Sequence, residues 1–129
     1  MASLAKVVIA LVAALHLYIA WFEIFAWTSR GPKVFSSFPP ELFAQTTAMA
    51  ANQGLYNGFL AAGLIWALCI VDELWHRRVA TCFLLMVCVA GIFGAFTVST
   101  RILFVQTVPA LIGIVLLVWA AKRRQSGNS

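Results

Sequence analysis

Apolar residues run almost unbroken from Leu4 to Trp27, Phe43 to Val71, Val79 to Ser99 and Ile102 to Ala121, and polar residues collect between these runs. A helix needs about 20 such residues to cross a hydrocarbon core of roughly 30 Å. The pattern therefore predicts helices over 4–27, 43–71, 79–99 and 102–121, an all-α four-helix transmembrane bundle forming a single domain, 1–129. Helix one carries Glu23 near its far end and no small-residue cleavage site, which reads as a retained helix and not a signal peptide.

The connections are short. Between Thr28 and Pro40, Gly31, Pro32, Pro39 and Pro40 are expected to break helical pairing and to leave the segment along the membrane surface. Pro39 and Pro40 followed by Glu41 make a helix start, because proline is tolerated in the first turn and a carboxylate there complements the helix dipole. The run from Phe43 to Val71 would measure about 43 Å, so its first two turns should lie outside the hydrocarbon. Asp72 to Arg78 reads as the second connection, with Trp75, Arg77 and Arg78 as an interfacial anchor. Pro109 predicts a kink in the fourth helix, since Pro109–Ala121 alone spans only about 20 Å. Gln125–Ser129 reads as a disordered tail.

Composition removes the soluble alternatives. The chain is 63% hydrophobic and 10% charged, against about half and one quarter in soluble domains. The net charge of +5 does not point to nucleic acid, because the basic residues flank apolar runs. Four passes put Lys6, Arg77, Arg78, Lys122, Arg123 and Arg124 on one side and Arg30, Lys33 and Arg101 on the other. The positive-inside rule then places both termini in the cytoplasm.

Ionisable and amide side chains at membrane depth are costly and mark candidate sites. His16 and Glu23 are two turns apart on one face of helix one, about 15 and 25 Å from Lys6 by the helical rise. Counted from the same side, Gln53 and Asn57 in helix two, Thr97 in helix three with Arg101 just beyond it, and Gln106 in helix four fall at about 21–33 Å. Turned toward lipid, these groups would each cost several kcal/mol, so they are expected to converge as an outer-half cluster, with Arg101 bending inward to pair with Glu23. One reading is structural, with polar groups holding the bundle in register. The other is a cavity where Glu23 serves as acid, base or counter-ion.

Other chemistry lacks its motif. His16 reads more readily as a hydrogen-bonded core histidine, and bis-histidine haem fails because His76 lies in the cytoplasmic connection. Cys69, Cys82 and Cys88 form no C-x-x-C pair, and no Cys/His/carboxylate set has metal spacing. Neither a metal nor another cofactor is expected. Asp72 or Glu73 is expected to pair with Arg77 or Arg78. Small residues recur every four positions at Ala50, Gly54, Gly58 and Ala62, and at Gly91, Ala95 and Ser99. Such stripes serve close packing within the bundle or in a homo-oligomer, and the intramolecular use is favoured because helix two has three neighbours to satisfy.

The segments His16-Leu-Tyr-Ile19 with Glu23, and Ala51-Asn-Gln-Gly-Leu-Tyr-Asn-Gly-Phe-Leu-Ala-Ala-Gly63, resemble the signature of domain-of-unknown-function family thirteen-oh-four, small bacterial integral membrane proteins. The resemblance implies a four-pass protein of the bacterial inner membrane and marks His16, Glu23, Asn52, Gln53, Tyr56 and Asn57 as motif positions, without an activity. The layout is also similar, as a fold-level analogy, to the group that includes DoxX-like oxidoreductase accessory proteins. The expected function is binding of a small amphipathic or lipid-soluble molecule in the outer-half cavity. The alternatives are an accessory subunit of a larger membrane complex, and an isomerase or oxidoreductase component using Glu23 or His16 for proton transfer.

Overall fold

The computed structural model describes residues 2–126, the side chains of Ala2 and Gln125 excepted. Helices α1 (Ala2–Phe25), α2 (Trp27–Val34), α3 (Pro40–Gln45), α4 (Thr47–Cys69) and α5 (Glu73–Thr97) are followed by a π turn (Leu103–Thr107) that leads directly into α6 (Val108–Ser126). The fold is all-α, with no strand among the described residues. Of the four long helices, Ser3–Phe25, Glu73–Thr97 and Leu103–Arg124 are long and apolar enough to cross a membrane. The fourth, α4, is as long at 23 residues, but Asn52, Gln53, Asn57 and its glycines make it more polar.

Each long helix packs on two others, closing a ring α1–α4–α5–α6 whose broadest contact is between α1 and α4. Ile9, Val12, Leu64, Leu84 and Val87 are fully buried at its centre. Lipid-immersed helices gain little from hydrophobic burial and associate by close packing, and the glycines show where. At Gly54 an added Cβ would lie 2.7 Å from Ile24 Cγ1 and 3.0 Å from the Ala20 carbonyl oxygen, so α4 sits against the backbone of α1. Gly63 receives the Phe83 ring, and Gly91 faces Thr107. The expected four-residue stripe is only half used: Ala50 and Gly54 are buried, whereas Gly58 meets nothing within 4 Å and Ala62 is exposed. The packed face of α4 continues instead through Ala61, Leu64 and Ala67.

Several boundaries move. The Thr28–Pro40 segment, expected to be broken, is largely helical as α2, because Gly31 is buried under the Phe43 ring, which packs on Trp27 at 5.1 Å. Tertiary packing there outweighs poor helix propensity. The second run bends at Thr46, whose hydroxyl donates to the Leu42 carbonyl (2.7 Å) and accepts from Trp27 Nε1 (3.0 Å). Back-bonding of this kind bends helices. Helix α5 starts six residues earlier than expected, at Glu73 and not Val79. Asp72 is its N-cap, accepting from the Trp75 backbone N–H at 2.8 Å, and Glu73 pairs with Arg124 at 2.8 Å, so neither acid takes Arg77 or Arg78. His76 is therefore on a helix and buried, donating from Nδ1 to the Ala67 carbonyl at the end of α4 (2.7 Å). Of the expected tail, Gln125 and Ser126 continue α6, and 127–129 lie outside the described residues.

The fourth helix is irregular where Pro109 required it. Proline lacks an N–H and its ring clashes with the carbonyl four residues back, which is Val105, inside the π turn. There the Val108 N–H donates to the Leu103 carbonyl, five residues back. Arginines stack on tryptophans at both ends of the bundle: Arg30 on Trp21 (5.1 Å), Arg78 on Trp75 (5.6 Å) and Arg123 on Trp119 (4.6 Å). Trp and Arg in this arrangement are interfacial anchors.

Candidate functional site

A cavity of about 510 Å³ opens at the end of the bundle where α1 finishes and the π turn begins. Helix α1 supplies Tyr18, Ile19, Phe22 and Glu23, the segment after α2 supplies Val34 to Ser37, and the α5–π connection supplies Val98, Ser99 and Arg101. Ile102, Val105 and Gln106 complete the wall. Aliphatic and aromatic surface thus surrounds a few polar groups, within the 300–1,000 Å³ usual for small-molecule sites.

Glu23 is held from outside this wall. Asn57 Nδ2 donates to Glu23 Oε2 at 2.9 Å and shares its amide with the Gln53 backbone carbonyl at 3.2 Å. This joins α4 to α1 one turn beyond the Gly54 contact, which brings the two backbones close enough for the short Asn side chain to reach. Arg101 lines the same cavity but is exposed and makes no ion pair. Among the described residues the only ion pair is Arg124–Glu73. The expected Glu23–Arg101 pair is thus not formed: Arg101, in the tight connection after α5, is exposed, and the Glu23 carboxyl takes the Asn57 amide instead.

The remaining candidates divide. Gln106 lines the cavity with Glu23 and Arg101. Gln53 and Thr97 are exposed, and Thr97 satisfies its hydroxyl on its own helix, at the Phe93 carbonyl (2.8 Å). The expectation that every polar residue at this level turns inward fails for these two; for Thr97 the reason is that its hydroxyl has a local backbone acceptor. His16 lies outside the cavity lining, 0% exposed, and donates from Nδ1 to the Val12 carbonyl at 2.8 Å. Its Nε2 is buried without a partner. Among the described residues no group of three or more His, Cys, Asp or Glu is placed to hold a metal ion.

Tyr18, Ser36, Ser37 and Ser99 also bring polar groups to the cavity, beyond those expected from depth along the helices. Ser99 continues the Gly91–Ala95 spacing and was visible as such; the two serines lie in a connection whose path only tertiary packing sets. Thr107 is likewise beyond those expectations. It is 4% exposed, donates to the Cys88 carbonyl at 3.3 Å and accepts Gly91 against it, tying the π turn to α5.

No solved structure matches this chain. It is similar to an uncharacterised protein, YpaA, of Lactococcus lactis subsp. lactis, with 26% identity over 116 residues that cover 88% of this chain and 96% of the relative. A family model described as a protein of unknown function (DUF1304) matches residues 10–118. That span is most of the chain and contains every residue of the cavity together with Asn57 and His16, so the chain belongs to the DUF1304 family.

Proposed function

We propose that this protein is a four-pass membrane protein that holds a small amphipathic or lipid-soluble molecule in the cavity between α1 and the π turn. In this reading α4 crosses the bilayer with the other three long helices, both termini are cytoplasmic, the membrane is the bacterial inner membrane, and the cavity opens to the outer leaflet. The observation that carries it is the cavity itself, where Glu23, Arg101 and Gln106 meet an apolar wall of about 510 Å³. Clefts between helices with a few convergent polar groups are common ligand sites. The six basic residues of the opposite end support the orientation.

The test is native mass spectrometry of the protein released from nanodiscs, for a bound molecule other than phospholipid. A discrete adduct is expected on the native chain and should be lost in Val105→Trp, which fills the cavity. An adduct that survives the filling, or none on the native chain, refutes the reading.

A second reading draws on the lack of an ion-pair partner for Glu23. A carboxyl that faces a cavity and receives a single neutral amide donor is available to exchange a proton with a bound molecule. Under it Glu23→Gln retains the bound molecule and abolishes its turnover, whereas under binding alone the same variant leaves the adduct unchanged in mass and yield.

A further inference from the structure

The opposite end of the bundle carries a second cleft, of about 570 Å³, between the start of α5 and the end of α6. Its lining includes Leu74, Arg77, Arg78 and Leu85 from α5 and Leu117 and Val118 from α6. We propose that this cleft is a binding site for an anionic phospholipid, with the phosphate against Arg77 and Arg78 and an acyl chain along the α5–α6 groove. The proposal is independent of the cavity at the other end.

Charge and shape both support this occupant. The two acids nearest the cleft are already engaged, Asp72 in capping α5 and Glu73 with Arg124. Neither Arg77 nor Arg78 has an acidic partner among the described residues. Arg78 is stacked over Trp75 at 5.6 Å, which fixes a cation at the level where tryptophan marks the headgroup region. Below the arginines Cys82, Leu85, Leu117 and Val118 make the groove mainly apolar, and Arg78 to Leu85 spans about 10 Å along α5. Half of a hydrocarbon core of roughly 30 Å is about 15 Å, so the groove reaches about two thirds of the way into one leaflet. A basic mouth above an apolar groove that extends into the leaflet suits a phosphate carrying acyl chains and gives a free phosphate no use for the groove. Basic pockets between transmembrane helices are known to take anionic headgroups.

The experiment is native mass spectrometry of the detergent-solubilised full chain titrated with phosphatidylglycerol or phosphatidylcholine of matched chains. Each basic residue near an anionic headgroup contributes about 1 kcal/mol, or about fivefold. The native chain should retain one phosphatidylglycerol at least tenfold more tightly than phosphatidylcholine. Arg77→Gln with Arg78→Gln should lower that preference about 25-fold or abolish it, and lysine at both positions should restore most of it. Lys122→Gln with Arg123→Gln removes the same charge from the same end outside the cleft and should leave the preference largely intact. Cys82→Phe narrows the groove without touching charge and should lower retention of both lipids. The proposal is overturned if the native chain shows no preference, if the two double variants lose it equally, if Cys82→Phe has no effect, or if the cleft is closed by a second copy of the chain with no lipid retained.

Discussion

Alanine at Gly54 and at Gly58 makes the same chemical change one turn apart on α4, and the two should move stability in opposite directions. Replacing glycine in a helix interior gains about 1 kcal/mol of helix propensity, and that gain is common to both sites. At Gly58 nothing lies within 4 Å of the new methyl, so Gly58→Ala should be neutral to about 1 kcal/mol more stable. At Gly54 the methyl would sit 2.7 Å from Ile24 Cγ1, 3.0 Å from the Ala20 carbonyl oxygen and 3.1 Å from Glu23 Cβ. Favourable carbon contacts lie at about 3.5–4.0 Å. Ile24 can rotate away, but the Ala20 oxygen belongs to the backbone of α1, so the helices must part by several tenths of an ångström. Overpacking of this kind costs about 1–3 kcal/mol. Gly54→Ala should therefore be about 1–3 kcal/mol less stable than Gly58→Ala. Equilibrium unfolding in mixed micelles of mild detergent and dodecyl sulfate measures both against the native chain. If the two variants agree within about 0.5 kcal/mol, the size of an uninvolved surface change, the close α1–α4 approach is refuted.

The same helix pair makes a second prediction. Asn57→Leu removes the donor to Glu23 and should cost about 1–3 kcal/mol, the penalty of an unsatisfied polar group, whereas Glu23→Gln keeps an acceptor for Asn57 and should cost less. In a double-mutant cycle, Glu23→Gln with Arg101→Met should show a coupling within about 0.5 kcal/mol of zero, because no ion pair joins them; a coupling above about 1 kcal/mol by the same unfolding assay would contradict the observed geometry. Thr107→Val should cost about 0.5–1.5 kcal/mol through loss of the bond to the Cys88 carbonyl, and an unchanged midpoint would show that the link does not hold the π turn to α5.

Much of this architecture was legible because membrane helices announce themselves by length and apolar content. The four long helices overlap the predicted runs, and the irregular entry to the fourth followed from Pro109 alone. Errors arose where a local signal competed with packing. Glycine and proline in residues 28–34 argued against a helix, yet the Phe43 ring needs the empty face of Gly31, and that demand lies 12 positions away in sequence. The Asp72 cap was legible as an acid before a helical run, but Trp75, Arg77 and Arg78 looked like a connection because their anchor role and their helical state are compatible. For the site, depth arithmetic brought Glu23, Asn57, Arg101 and Gln106 into one neighbourhood. It could not assign facing, which placed Thr97 and Gln53 outward and left Arg101 beside the carboxylate without touching it.

The cavity and the tight packing beside it have linked causes. On one side of α1, Gly54 admits the Ala20 backbone and closes the α1–α4 seam, so Asn57 reaches the Glu23 carboxylate through the seam while the cavity opens on the other side. On that other side α1 faces the π turn, where a helix distorted ahead of Pro109 presents Val105 and Gln106 to the cavity and Thr107 to α5. An added Cβ on Gly91 would lie 3.0 Å from Gln106 Cβ and would also strike the Thr107 hydroxyl, so two consecutive residues of the turn crowd the same glycine. A regular helix spreads consecutive side chains by about 100°, whereas the widened turn lets neighbours share a contact. π turns occur often at functional sites, and here the distortion falls at the one level of the bundle where polar side chains from α1, the α5 connection and the fourth helix meet.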